Sequence, residues 1–297
     1  MSHNYEYNGT IYRPTVEAGV VILPVTEGCT HNACRFCTMF KGIPFRMLKE
    51  DQMEYYMQEI VADYGPRIKK IFLAGADPFA MSADNLEKPV KIIKKYVPDI
   101  EVITMYAAVR NIRSKTDVEL ERIKRMGIDS LYIGIENALD DVLLYLNKGN
   151  TIEEAKTQLL RLKKVGISYN ALIMIGAAGK GRGVESAKAM AKFLNETEPA
   201  LISATTFGVF PGTEMEQDVK TGKFVEAGEK ENLLEHKVLL ENLKLSQTRY
   251  WSMHGLNAVR LQGVLGSEKE TLIAKLERAI KTIDESDFSK HFVRTSV

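Results

Sequence analysis

Six short, almost uninterrupted apolar runs, each separated from the next by a stretch of helical length, constrain this chain more than any other feature. The runs are residues 19–25, 69–74, 100–106, 130–135, 168–175 and 201–207. A strand with one face in water alternates apolar and polar residues, whereas a strand covered on both faces is apolar throughout. The stretches between them, residues 49–64, 84–96, 116–126, 139–147 with 151–165, and 184–195, carry amphipathic patterns, and Gly65, Gly127 and Gly166 stand where three of them end. Repeated strand–helix units build a parallel, right-handed α/β array, either an open doubly wound sheet or a partial barrel. After Pro211-Gly212-Thr213 the rhythm changes. Residues 229–245 and 267–284 read as helices, and 251–257 as a loop or short strand. Residues 216–297 are expected to form a small, mainly helical extension packed on the main domain, residues 1–215.

Composition excludes little but narrows the class. At 297 residues, 45% hydrophobic and 27% charged, the chain reads as a globular enzyme-sized protein. A net charge of +1 makes no global case for binding nucleic acid or a membrane surface. Residues 1–12 are polar and lack the apolar centre of a signal peptide. No run approaches the roughly 18 apolar residues of a membrane span. The expectation is a reduced, cytoplasmic protein with no membrane partner.

All three cysteines lie within nine residues, in the run Glu27-Gly28-Cys29-Thr30-His31-Asn32-Ala33-Cys34-Arg35-Phe36-Cys37. An odd, close-spaced set cannot complete a disulfide framework. Three clustered thiolates suit an iron–sulfur cluster with one iron left open. Zinc competes if His31 is a fourth ligand, but the second Cys/His pair of a zinc module is missing, and His3, His236, His254 and His291 show no ligand spacing. A redox pair, Cys34 and Cys37, gives Cys29 no role. The run directly follows the first apolar strand, where α/β folds carry functional loops.

This segment resembles the cluster loop of radical S-adenosylmethionine (SAM) enzymes, in which Cys-x3-Cys-x2-Cys with an aromatic before the last cysteine, here Phe36, holds a [4Fe–4S] cluster. The first gap here is four residues, Thr30 to Ala33. The resemblance implies a partial (β/α)6 TIM-type barrel. It implies metal ligation by Cys29, Cys34 and Cys37, and SAM chelating the open iron. It also implies cleavage of SAM to methionine and a 5′-deoxyadenosyl radical that abstracts hydrogen from a substrate. Leu73-Ala74-Gly75-Ala76-Asp77-Pro78 is similar to the superfamily's Gly-Gly-Glu-Pro motif, which assigns Gly75, Ala76 and Asp77 to the SAM amino group. Tyr132-Ile133-Gly134-Ile135-Glu136-Asn137 resembles a Gly-x-Glu-Ser segment of the branches similar to oxygen-independent coproporphyrinogen oxidase and to the elongator catalytic subunit. That likeness implies SAM contact by Glu136 and, twelve residues on, carboxylate pairing by Lys148, which has charge but no bidentate fork. Ile173-Met174-Ile175-Gly176-Ala177-Ala178-Gly179 is similar to the segment that packs on the SAM adenine, implicating Ile175 and Gly176. Phe210-Pro211-Gly212-Thr213 looks like the superfamily's Pro-Gly-Thr segment. Arg13-Pro14, Glu17 and Phe45-Arg46 resemble a loosely labelled coproporphyrinogen oxidase-like group.

Each motif also has a plain reading. Asp77-Pro78 and Pro211-Gly212-Thr213 serve as turns, Glu136 as a helix-start acid, and Lys148 as a solvated charge. Glu214, Tyr250, His254 and Asn257 are candidate pocket residues, but polar groups in a loop are unremarkable and the structural reading of each comes first. Without a fourth cysteine there is no thiolate-bound auxiliary cluster. The chain also reads as short for haem-pathway activity. The implied partners are a small-molecule substrate and an external one-electron reductant of the flavodoxin or ferredoxin type. The rival is a zinc- or cluster-stabilised binding or sensor protein without SAM chemistry.

Overall fold

The structure, a computed structural model, describes Tyr7 and residues 10–283. His3, His291 and the expected helix end at 284 lie outside these residues, as does most of the 1–12 stretch. The chain runs β1 (Val21–Pro24), α1 (Glu50–Tyr64), β2 (Lys70–Ala74), α2 (Ala83–Tyr96), β3 (Val102–Ala107), α3 (Val109–Arg113), α4 (Asp117–Arg125) and β4 (Ile128–Glu136). It continues through α5 (Asp140–Tyr145), α6 (Ile152–Val165), β5 (Ser168–Ile175), α7 (Gly183–Thr197), β6 (Leu201–Thr206) and α8 (Glu214–Lys220). Last come α9 (Glu229–Asn242), β7 (Arg249–Ser252), β8 (Leu261–Val264) and α10 (Leu265–Thr282).

The strands form one eight-stranded sheet in sequence order, β1 to β8. Pairs β1–β2, β2–β3, β3–β4, β5–β6 and β6–β7 are parallel, and only β7–β8 is antiparallel among the pairs with assigned register. A doubly wound sheet reverses its strand order at a switch point. This one does not, and the sequential order is that of a partial TIM-type barrel. Residues 251–257, expected as loop or short strand, begin inside β7, and β8 follows. The segment after residue 216 is thus less purely helical than expected. β7 buries alternate residues, Tyr250 and Ser252, but four residues are too few for that alternation to declare a strand. No helix among the described residues is long and apolar enough to cross a membrane.

The chain divides into two compact units. The first comprises Met1–Asn32, Met39–Ile133 and Gln158–Tyr169. Along β1–β4 one set of alternate side chains, including Leu23, Ile71, Leu73, Met105 and Leu131, is 0% exposed. The opposite set is closed by Phe72, Tyr106 and Tyr132, with ring centroids 5.2–6.4 Å apart. Both faces are therefore covered, which is why the strands read as continuous apolar runs. Buried Glu17 accepts from Lys70 Nζ at 2.6 Å and from the Tyr132 hydroxyl at 2.5 Å. The lead-in carboxylate so pairs with the start of β2 and the middle of β4.

The second unit comprises Ala33–Thr38, Gly134–Thr157 and Asn170–Val297. Ala171, Ile173, Ile202 and Ala204 bury one set of positions on β5 and β6, and α7 packs along α9. A further cluster joins Val142, Leu146, Ala177, Phe207, Met215 and Phe224. Tyr250 hydrogen-bonds His236, both fully buried; burial pulls His236 down to about 4, which keeps it neutral. Asn257 accepts from Thr206 N–H at 2.6 Å and donates to Ala204 C=O at 3.0 Å and Ser252 Oγ at 2.8 Å. Tyr250 and Asn257 accordingly bond within the fold. His254 is half-buried and accepts from the Leu256 N–H at 3.2 Å.

Candidate cofactor site

In the first unit, Cys29 follows a tight turn. Gly28 takes φ +64°, and a Cβ there would stand 2.5 Å from the carbonyl oxygens of Ile43 and Pro44, so only glycine fits. Across the turn, Thr26–Glu27 pairs with Arg46–Met47, and Arg46 forks onto Glu27 at 2.6 and 2.8 Å. Asn32 N–H donates to Cys29 Sγ at 3.4 Å.

Asp77 ends the turn after β2 and is 2% exposed. Its Oδ1 accepts from Thr30 N–H at 3.3 Å, and its Oδ2 accepts from the Thr30 hydroxyl and from Arg110 Nη2 at 3.1 Å. The same Nη2 lies 3.9 Å from Cys29 Sγ, and Arg110 Nε lies 3.4 Å from Thr30 Oγ1. Arg110 thus joins the first cysteine, the residue after it, and Asp77 around one guanidinium. Sequence reasoning missed it, because one basic residue in a helix after β3 matches no motif.

Two further features set this turn. Gly75 takes φ +140°, and a Cβ there would lie 1.9 Å from Thr26 Oγ1. Buried Lys115 donates to Phe79 C=O at 2.6 Å and Asn111 C=O at 3.2 Å, pinning the Pro78–Ala80 helical turn that follows Asp77. Burial pulls the Lys115 ammonium down to about 8.

In the second unit, the Cys34–Cys37 segment is fastened from several sides. Arg35 N–H donates to Leu146 C=O at 3.1 Å, and Asn147 Nδ2 donates to Ala33 C=O at 2.8 Å. The Arg35 guanidinium pairs with Asp218 at 2.6 Å and Glu214 at 2.9 Å, and lies 4.6 Å from the Tyr145 ring centroid. Glu214 thereby takes an ion-pair role. Phe36 meets Phe207 edge-on at 6.5 Å within the apolar cluster.

Glu136 ends β4 with φ +63°, and its Oε1 accepts from Lys148 Nζ at 2.6 Å, so the two residues, each expected to contact SAM, pair with one another here. A Cβ on Gly134 would stand 2.3 Å from Glu136 Oε1, so this glycine leaves room for the pair. Ile175 ends β5 and is buried. Gly176, at φ +85°, donates its N–H to Glu235 at 2.9 Å. Glu231 accepts from Gly181 N–H at 2.6 Å and Gly183 N–H at 3.4 Å. The glycine loop is therefore held by carboxylates of α9, which sequence reasoning did not foresee. Thr213 Oγ1 accepts from Glu216 N–H at 3.1 Å and caps α8, so Pro-Gly-Thr works here as a helix start.

Ala76 lies between Gly75 and Asp77 in the bend after β2. None of the three cysteines is in a disulfide, and each is half-buried. Cys29 belongs to the first unit, Cys34 and Cys37 to the second. Among the described residues no group of three or more His, Cys, Asp or Glu side chains is assembled for a metal ion. The donor chemistry nevertheless fits a cluster. Three half-buried thiols are all the cysteines the chain has, and a guanidinium stands beside one of them.

A sequential, mainly parallel α/β array with a cysteine-bearing loop after its first strand defines a partial-barrel protein. A family model described as the Radical SAM superfamily matches residues 23–194, and the chain belongs to that superfamily. It is 23% identical over 157 residues to the heme chaperone HemW of Bacillus subtilis (strain 168), covering 51% of this chain and 41% of HemW. The chain thus spans less than half the length of that curated relative. Among solved structures it is similar to Methanocaldococcus infernus Elp3 with an N-terminal deletion, at TM-score 0.57 and 15% identity over 86% of this chain and 63% of that one. It is also similar to methylornithine synthase, PylB, at TM-score 0.55 and 15% identity over 91% and 84%. These likenesses show the fold.

Proposed function

We propose that this protein is a radical SAM enzyme acting on a small molecule. In this reading Cys29, Cys34 and Cys37 hold a [4Fe–4S] cluster, and Phe36, Gly75, Ala76, Asp77, Glu136, Lys148, Ile175 and Gly176 line the SAM site. Residues 1–215 form the catalytic barrel and 216–297 its extension. When bound and reduced by a flavodoxin- or ferredoxin-type donor, such a cluster supplies the single electron on which SAM cleavage and hydrogen abstraction depend.

The observation that carries the reading is the guanidinium of Arg110, 3.9 Å from Cys29 Sγ and 3.1 Å from Asp77. It ties the expected cluster loop to the expected SAM-binding turn. An ionised carboxylate offers about four acceptor sites, and Asp77 uses three, on Thr30 N–H, the Thr30 hydroxyl and Arg110. One remains for an ammonium group such as that of SAM. Arg110 adds a planar fork suited to a carboxylate, the property Lys148 lacks. Asp77 itself is 2% exposed, which limits the water that competes for its oxygens.

Anaerobic reconstitution tests the reading. About four irons per chain are expected, with formation of 5′-deoxyadenosine when dithionite and SAM are added. Cys29→Ala, Cys34→Ala and Cys37→Ala should each abolish it. Undiminished 5′-deoxyadenosine from all three variants, or a colourless protein carrying one zinc, would overturn the assignment.

A further inference from the structure

Glu235 is a charged side chain in an unusual place. It lies on α9, far along the chain from every motif, and is 2% exposed. Both its oxygens are used. Oε2 accepts from Gly176 N–H at 2.9 Å, and Oε1 accepts from the Ser186 hydroxyl at 2.8 Å. Ser186 Oγ in turn accepts from Asn137 Nδ2 at 2.9 Å. Ser186 and Asn137 are 1% and 0% exposed. Asn137 Oδ1 accepts from Leu139 N–H at 3.0 Å, and Asn137 N–H donates to Ile135 C=O at 2.8 Å. These two bonds clasp the turn in which Glu136 keeps its φ of +63°.

One unbroken, buried chain of hydrogen bonds therefore runs Gly176–Glu235–Ser186–Asn137. It links the loop after β5 to the loop after β4. Both partners facing Glu235 are donors, so the position calls for a group that only accepts. A carboxylate does this with both oxygens, whereas a glutamine accepting from Gly176 must turn its amide nitrogen to Ser186, which then loses the acceptor of its hydroxyl proton. Close packing leaves no slack. A Cβ on Gly176 would stand 2.4 Å from Asn232 Oδ1, and one on Gly183 would stand 3.2 Å from the Glu235 Cβ.

We propose that Glu235 is a positioning residue for SAM: from α9 it holds the Gly176 loop and, through Ser186, the Glu136–Asn137 loop in the arrangement that receives the nucleoside and amino-acid ends of the ligand. This rests on the reading that these two loops contact SAM. The carboxylate does so at a cost that a purely structural link would not need. The groups facing it are the Gly176 amide, Ser186 on α7, Glu231 on α9 and the Tyr250 phenol on β7, and none of them is a cation. Burial pushes the Glu235 carboxyl up to about 7, so the doubly accepting form fills in as pH rises through neutrality.

The test uses reconstituted protein with its cluster left oxidised, so that labelled SAM binds without turnover in equilibrium dialysis. Wild type, Glu235→Gln and Ser186→Ala are compared from pH 6 to 8.5. Glu235→Gln should bind SAM about tenfold more weakly than wild type at pH 8, roughly 1.4 kcal/mol, and nearly as well as wild type at pH 6. Ser186→Ala should bind about threefold more weakly and keep the wild-type pH dependence. In cluster-free protein, amide exchange across residues 176–183 should quicken in Glu235→Gln, a readout independent of catalysis. If Glu235→Gln binds SAM as wild type does at every pH, or loses affinity equally at pH 6 and pH 8, the proposal fails. If wild type carries its four irons yet binds no SAM, the underlying assignment of the loops fails instead.

Discussion

Replacing Gly75 by alanine examines whether the glycine of the Asp77 turn is demanded by packing within the protein itself. The backbone there has φ +140°, a region that side-chain-bearing residues avoid at about 1–3 kcal/mol. The new Cβ would lie 1.9 Å from Thr26 Oγ1, 2.7 Å from Thr26 C=O and 3.1 Å from Thr26 Cβ. Overpacking of this kind costs a further 1–3 kcal/mol or so. Gly75→Ala should therefore lose about 4 kcal/mol, a large share of the roughly 5–15 kcal/mol that holds a domain together. Part of that loss belongs to one atom. Thr26 Oγ1 is buried without a hydrogen-bond partner, so Thr26→Ala removes an unsatisfied group and a methyl together, and alone should change stability by less than about 1 kcal/mol. In that background Gly75→Ala meets only the Thr26 backbone and Cβ, and its cost should fall to about 2–3 kcal/mol. The double-mutant cycle should thus return a coupling of about 1–2 kcal/mol, read from urea midpoints by far-ultraviolet circular dichroism. A Gly75→Ala cost below 1 kcal/mol, or the same cost in both backgrounds, would refute the reasoning.

Two other expectations follow from buried charge. The Glu235 carboxyl is raised from 4.5 to about 7 in the folded protein, so its contribution to stability is complete below pH 4.5 and is lost as pH rises through 7. Wild type should lose up to about 3 kcal/mol across that window that Glu235→Gln does not lose; a difference in melting temperature between the two that stays constant from pH 5 to 8 would count against it. Arg110→Gln leaves the nearly buried Asp77 carboxylate without its cation and should cost about 2–3 kcal/mol. Adding Asp77→Asn should recover much of that loss, and chemical denaturation of the two single variants and the double variant would expose a failure to do so.

The barrel strands were legible because both their faces are covered. Residues 168–175 are read identically in sequence and structure, and 69–74 differs from β2 by one residue. β7 and β8 were not, since a four-residue strand added late to a sheet carries too little pattern. Glu136 and Lys148 were legible only as two separate expected SAM contacts, and their ion pair with one another at 2.6 Å was not foreseen. Arg110 was invisible because its meaning lies in the approach of α3 to residues 33 and 81 positions away, which no local motif encodes. Glu231 and Glu235 were hidden differently. On α9 they look like ordinary helix-surface acids, and only the fold turns them toward the amides of Gly176, Gly181 and Gly183.

The hold of α9 on the glycine loop bears on how this protein is shortened or recombined. A fragment ending near residue 215 keeps every residue that resembles a radical SAM motif, yet removes the acceptors of the Gly176, Gly181 and Gly183 amides and the partner of Ser186. Three backbone donors and a hydroxyl would have to find water where they now find carboxylates. During synthesis the same loop leaves the ribosome some fifty residues before Glu231 and Glu235, and waits for them. A shortened version of this chain should be drawn to end beyond Asn242, and a graft of its barrel onto another C-terminal segment should carry α9 with it.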